Sequence, residues 1–261
     1  MLARERHSII METLRRNRII KISDIVKQFD VSNETARRDL ETLQDQQLVK
    51  RIYGGAVLSE PKTGFDQFAS PRYSQSHAEK AAIGRAAAAM ISEGDTIILD
   101  IGTTTLEIAR NIKNMSTLTV LTNSLALLNE LAGTSLDLFV LGGRLNTDEL
   151  SMYGDLTESA LKNFFVDMAF IGAGGVTFDG GVFDYNSGEA LTRRVVIQRA
   201  SKVILVSDSN KFGSTAFAVV CPLEEIDTIV TDSNLPDEYI NGIKERKIKL
   251  ILVDSEEETI S

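Results

Sequence analysis

From residue 96 onward the chain alternates short apolar runs with amphipathic stretches, and this alternation narrows the possible folds more than any other feature. The runs at 96–101, 118–122, 136–141, 168–172, 202–207, 226–231 and 248–253 read as strands. The stretches at 105–112, 123–131, 157–165, 188–200 and 237–247 read as helices, and an Ala-rich helix over 77–92 precedes them. Strand runs that are apolar throughout are buried on both faces, so a mostly parallel sheet covered by helices on either side is expected.

In open parallel sheets, ligands bind beyond the carboxyl ends of the strands, where strand order reverses. The residues expected there are small and polar: Asp100, Gly102, Thr103 and Thr104; Thr122, Asn123 and Ser124; Gly142 and Gly143; Gly172 and Gly174; Asp208 and Lys211. Gly102 followed by three threonines at a helix start is a phosphate cradle in outline, because free backbone N–H groups and the positive helix end both favour an anion. Lys211 would neutralise such an anion and Asp208 would accept from sugar hydroxyls, although a surface loop with a solvated lysine accounts for the same residues. Asp184 and Glu189 lie on a further loop that reaches toward the same region, and Glu189 reads equally well as a helix-starting residue.

The first 58 residues read differently. A helix over 3–17 is followed by a short amphipathic one, with Ile22, Ile25, Val26 and Phe29 inward, then by a tight connection at Asp30 and Val31. The next helix starts at Ser32, a suitable N-cap, with Glu34 in its first turn. Ala36, Leu40 and Leu43 give it a buried face. Asn33, Thr35, Arg37 and Arg38 fall on the other face, and such side chains donate to phosphates and base edges in a major groove. Two strand-like runs, 48–53 and 56–58, flank Gly54 and Gly55 and carry Lys50, Arg51 and Tyr53. Helix, turn, helix and wing in that order point to a reader of double-stranded DNA.

At this point the chain resembles the DeoR-type bacterial transcriptional regulators. Ser32, Thr35, Ala36, Arg37, Arg38, Asp39 and Leu40 stand where that family keeps its recognition-helix signature, and Arg51 with Tyr53-Gly54-Gly55-Ala56 is similar to its wing. Asp100-Ile101-Gly102-Thr103-Thr104 and Asp208-Ser209-Asn210-Lys211-Phe212-Gly213 are similar to two segments of the family's effector-sensing domain. The resemblance implies that this domain is related in fold to ribose-5-phosphate isomerase and takes a phosphorylated sugar, with Asp208 and Lys211 in the effector site. It further implies a repressor of a sugar uptake or catabolism operon.

The expected organisation is a winged helix-turn-helix domain over 1–58, a linker over 59–76, an effector-sensing α/β domain over 77–254, and an acidic tail over 255–261. Charge agrees with that division. Residues 1–58 hold 11 Lys and Arg against 8 Asp and Glu, a net +3, while the remainder holds 17 against 29, a net −12. A basic head on an acidic body suits docking by one end on a phosphate backbone. No apolar run approaches the length of a membrane span, and the N-terminal residues run straight into an amphipathic helix, so a cytoplasmic protein without a signal peptide is expected.

An enzyme is not expected. The two histidines, His7 and His77, fall outside the predicted α/β body, leaving no His-based triad or metal site there. The glycines at 172–175 lack the spacing of a dinucleotide loop. A sugar-phosphate isomerase using Asp184, Glu189 and Lys211 is the alternative, since proton abstraction beside a carbonyl needs only a base and a cation. No cofactor or metal is expected. Cys221, in an apolar stretch, is expected to be a buried thiol. Homo-oligomerisation is expected because paired heads reading repeated half-sites are the usual geometry of this motif.

Overall fold

The computed structural model describes residues 6–7, 9–11, 13–14, 19–29, 31–45, 49–52, 54–58 and 76–254, with the side chains at 19, 45, 50–52, 57 and 58 excepted. The chain divides into two compact units, residues 1–67 and 68–261. The expected linker falls outside the described residues except for Ser76, and so does the tail from 255.

In the first unit, the described residues between 6 and 14 are helical. β1 (Ile19–Lys21) leads directly into α1 (Ile22–Phe29), and α2 (Asn33–Asp45) follows. β2 (Val49–Ile52) and β3 (Gly55–Leu58) close a three-stranded antiparallel sheet in the order β1-β3-β2. Gly54 turns the wing at φ +82°, a conformation that glycine adopts without steric cost. Ile10, Leu14, Ile25, Ala36, Leu40, Leu43, Val49 and Ala56 form one buried core. The sequence reading missed β1: its three residues run unbroken into the apolar face of α1, and its partner β3 is more than thirty residues away.

The second unit holds a seven-stranded sheet in which every pair is parallel. α3 (His77–Ala88) precedes β4 (Thr96–Leu99), α4 (Thr103–Ile112), β5 (Thr119–Thr122), α5 (Leu125–Leu131) and β6 (Asp137–Val140). A hairpin of β7 (Arg144–Asn146) and β8 (Ser151–Tyr153) intervenes before α6 (Asp155–Leu161) and β9 (Val166–Ile171). β10 (Gly175–Thr177) and β11 (Gly181–Asp184) pair as a second hairpin, then α7 (Ser187–Gln198) and β12 (Ala200–Val206) follow. β13 (Ala218–Cys221), β14 (Thr228–Asp232), α8 (Asp237–Glu245) and β15 (Lys249–Val253) complete the chain.

Sheet order is β15-β14-β12-β9-β4-β5-β6, so the chain builds outward from β4 through β6 and then returns to β9 on the other edge of β4. The order therefore reverses between β4 and β9. Successive side chains on a strand point to opposite faces. Ile97 and Leu99 accordingly join Ile83, Leu106, Ile108 and Leu127 in the core under α3, α4 and α5, whereas Ile98 joins Leu161, Ala190 and Ile243 in the core under α6, α7 and α8. His77, expected outside the α/β body, opens α3 of that body. The thiol of Cys221 is buried as expected, and burial pushes it up to about 12.

Candidate functional site

The first candidate surface is α2. The Ser32 hydroxyl accepts from the Thr35 backbone N–H at 3.1 Å and shares a hydrogen bond with the Thr35 hydroxyl at 2.9 Å, so both groups are occupied in starting the helix. Ala36 and Leu40 are fully buried, while Asn33, Arg37 and Arg38 are exposed on the outer face. The side chains of Lys50 and Arg51, on β2, lie outside the described residues, as does Tyr53.

Asp39, whose role the sequence reading left open, is only 4% exposed. It accepts from Arg6 Nε at 2.8 Å, from Arg6 Nη2 at 2.9 Å and shares a bond of 2.9 Å with His7 Nε2. Burial alone would raise the Asp39 carboxyl, but the bonds from Arg6 and His7 outweigh it and hold it below its ordinary value. This ion pair fixes the N-terminal helical segment to α2 and thereby sets which way Arg37 and Arg38 face.

The second candidate is a cavity of about 280 Å³ in the α/β unit. It opens at the β4/β9 reversal, where residues after β4, β9 and β12 converge, as expected for this sheet type. From β4 come Gly102, Thr103 and Thr104, at the start of α4. Gly102 is the N-cap with φ +142°, a backbone conformation that residues with a Cβ rarely adopt. Among the described residues no side chain caps α4, so the first-turn N–H groups, on residues that line the cavity, are left without a side-chain acceptor. The Thr105 hydroxyl donates to the Gly102 carbonyl at 2.9 Å, and those of Thr103 and Thr104 have no partner among the described residues.

From β12 come Asp208 and Lys211, flanking a single 3-10 turn, Ser209–Lys211. Asp232, at the end of β14, anchors that turn by accepting from the Ser209 N–H at 2.7 Å and the Ser209 hydroxyl at 2.8 Å. Asp208 is only 4% exposed, yet its carboxylate has no hydrogen-bond partner among the described residues. The Lys211 ammonium likewise has no ion pair among them and lies 5.8 Å from the centre of the Tyr185 ring. A carboxylate with no hydrogen-bond partner and a cation with no ion pair among the described residues, beside such a helix start, are equipped to receive a ligand with hydroxyls and an anionic group.

Gly102, Thr103, Thr104, Ser124, Gly172, Gly174, Asp208 and Lys211 therefore line one cavity. Five residues expected with them do not. Asp100 lies behind the wall, where it pairs with Arg193. The Thr122 hydroxyl accepts from the Ser124 N–H at 3.1 Å, and the Asn123 amide donates to the Met152 carbonyl at 2.7 Å. The Gly142 carbonyl accepts from the Thr157 hydroxyl at 2.9 Å, and Gly143 lies against Thr157 and Tyr153. These two glycines follow β6, an edge strand distant from the reversal.

Asp184 and Glu189, expected to reach toward this region, line the cavity as well, and further lining residues escaped the sequence reading. Arg193, on α7, is 3% exposed and bridges Asp100 and Asp184. Burial opposes its charge, but the two carboxylates outweigh that and hold the guanidinium protonated; burial also pushes the Asp100 carboxyl up, against the pull of Arg193. Glu189 accepts from the Ser151 hydroxyl and from the Asn146 amide, at 2.8 Å for the latter, and burial pushes its carboxyl up. These bonds tie the β7–β8 hairpin to α7, and Asn146, Asp148, Glu149 and Leu150 of the hairpin segment form one wall. Lys80, on α3, forms another. The helical periodicity of their segments gave no sign that Lys80 and Arg193 would be buried.

Among the described residues, no group of His, Cys, Asp and Glu is placed to hold a metal ion, and no helix is long and apolar enough to cross a membrane.

The chain matches the DeoR-like helix-turn-helix domain over residues 6–62 and the DeoR C terminal sensor domain over residues 75–233. The transcriptional repressor AccR of Agrobacterium fabrum is 36% identical over 88% of this chain and 89% of its own. HTH-type transcriptional repressor GlcR of Bacillus subtilis is 33% identical over 99% of each chain. The glycerol-3-phosphate regulon repressor of Escherichia coli K12 is 30% identical over 95% of this chain and 98% of its own. Among solved structures, ribose 5-phosphate isomerase A of Methanocaldococcus jannaschii aligns at 17% identity over 53% of this chain and 55% of its own, with a TM-score of 0.41, too slight a likeness to carry an argument. Full-length relatedness to DNA-binding repressors, with both domains matched in order, leads to one conclusion: the chain belongs to the DeoR family and is a transcriptional regulator, not an enzyme.

Proposed function

We propose that this regulator is a repressor of a carbohydrate uptake or catabolism operon and that a phosphorylated sugar, bound in the α/β cavity, changes its affinity for operator DNA. One observation carries the ligand reading. The Asp208 carboxylate, without a hydrogen-bond partner, and the Lys211 ammonium, without an ion pair among the described residues, share a cavity with the start of α4, which no side chain among those residues caps. The helix start and Lys211 take the phosphate, Asp208 takes ligand hydroxyls, and the hydroxyls of Thr103 and Thr104 complete the cradle.

On the DNA side, Asn33, Arg37 and Arg38 contact the major groove, with Ser32 and Thr35 setting the helix start and Lys50, Arg51 and Tyr53 contributing from the wing. Two or more copies act together so that paired heads read repeated half-sites. The relative named for a glycerol-3-phosphate regulon supports a carbohydrate role.

The site also speaks against the isomerase alternative, because its proposed carboxylates are engaged. Asp184 is bound by Arg193 and by the Asn186 N–H, and Glu189 by Ser151 and Asn146. A thermal-shift screen of wild type and Lys211→Ala against sugar phosphates tests the proposal. A phosphorylated sugar should raise Tm for wild type and have a much reduced effect on the variant, and equal shifts in both would remove Lys211 from the site.

A further inference from the structure

Asn210 occupies the middle of the turn between Asp208 and Lys211 but does not line the cavity. Its amide instead donates to the Ser76 hydroxyl at 3.2 Å. Ser76 is the residue at which the chain coming from the DNA-binding unit enters α3. Its backbone is left-handed, with φ 52° and ψ 41°, a conformation disfavoured for any residue with a Cβ. Its hydroxyl makes no cap bond to α3 and accepts from Asn210 instead. The Ser76 carbonyl accepts from the Lys80 N–H at 3.0 Å, and the Lys80 side chain forms part of the cavity wall. The first turn of α3 is thus held at two points, one beside the Asp208–Lys211 turn and one in the cavity itself.

We propose that the Asn210–Ser76 hydrogen bond passes occupancy of the cavity to the segment leading back to the DNA-binding unit, with Asn210 as a positioning residue. The inference rests on the cavity being the effector site. A ligand that draws the Asp208 carboxylate and the Lys211 ammonium toward itself rotates the single turn between them. Asn210 moves with that turn. Once the amide leaves Ser76, no side-chain bond among the described residues holds the left-handed backbone, and residue 76 relaxes to a commoner conformation that redirects the chain preceding it. An exposed hydrogen bond is suited to this task because its net contribution is only about two- to tenfold in an equilibrium, small enough for a ligand to overcome.

The test uses the full chain, a DNA duplex selected from a random pool by the wild-type protein, and D-glucose 6-phosphate and inorganic phosphate as ligand probes. Without ligand, Asn210→Ala and Ser76→Ala should each change duplex affinity by about two- to tenfold in the same direction, and the double variant by no more than either single one. Asn210→Asp, whose carboxylate accepts from the Ser76 hydroxyl, should restore the wild-type value. Unchanged affinity in both alanine variants, or effects that multiply in the double, would overturn the coupling. If wild type ignores both probes while the variants show the shared shift, the effector reading fails and the coupling stands. If wild type responds to a probe and the alanine variants respond identically, the coupling fails and the effector reading stands.

Discussion

Asp39 illustrates how one residue of a recognition helix serves orientation rather than contact. Its carboxylate is buried against Arg6 and His7 on the side of α2 away from Arg37 and Arg38. Asp39→Asn keeps an acceptor but leaves the Arg6 charge unneutralised, and should cost about 1–3 kcal/mol of stability in the N-terminal unit. The carboxyl is held below its ordinary value in the folded state, so its contribution is fully present above about pH 4 and is lost as pH falls through the lowered value. Calorimetry of the full chain should accordingly show a gap between wild type and Asp39→Asn at pH 7 that narrows at pH 3; a gap independent of pH would contradict this account. Arg193 is the counterpart in the α/β unit. Arg193→Met would leave two buried carboxylates facing each other and should destabilise by about 3–5 kcal/mol in urea unfolding. Arg193→Lys should recover only part of the loss, because an ammonium lacks the planar fork that bridges two partners.

Two elements converge on the cavity because their helices pack without an intervening side chain. A Cβ built on Gly84 of α3 would lie 2.4 Å from the Glu107 Cβ and 2.8 Å from the Glu107 carbonyl carbon on α4. Glycine to alanine in a helix interior normally stabilises by about 0.5–1 kcal/mol. Here overpacking outweighs that gain, so Gly84→Ala should destabilise by about 1–3 kcal/mol and shift α3 against α4. A rise in Tm would refute the close-packing argument. Much of this arrangement was legible in the sequence. The apolar runs of β4, β9, β12 and β14 defined a parallel sheet, and the polar residues after β4, β9 and β12 marked the cavity. Sequence alone did not order the strands, so Gly142 and Gly143, which follow the edge strand β6, looked equivalent to Gly172 and Gly174, which follow a central one. Nor could it reveal the β7–β8 hairpin, whose three-residue strands carry no period long enough to read. Lys80 and Arg193 share a cause: a charged side chain on a helix reads as solvated until its neighbours are known.

On the scale of the whole molecule, charge is unevenly divided, with a net +3 in the first 58 residues against −12 in the rest. Binding to duplex DNA should therefore weaken steeply with salt, with a log–log slope of about −0.9 for each phosphate neutralised. Arg37→Ala or Arg38→Ala should cost about 1–3 kcal/mol where the side chain reads a base, and should reduce the slope by about 1 where it meets a phosphate. Loss of neither affinity nor slope in both variants would exclude the outer face of α2 as the DNA-binding surface.

If a sugar phosphate in the cavity governs operator binding, cavity and DNA surface are thermodynamically coupled, and linkage makes the coupling measurable from both sides. Titrating a sugar phosphate identified by thermal shift into the protein, with and without saturating operator duplex, gives two ligand affinities; titrating duplex with and without saturating ligand gives two DNA affinities. The account predicts that the two ratios are equal and lie between about 5- and 150-fold, and that Lys211→Ala removes the ligand effect while leaving DNA affinity intact. Tight binding of a sugar phosphate in the cavity with both ratios at unity would contradict it.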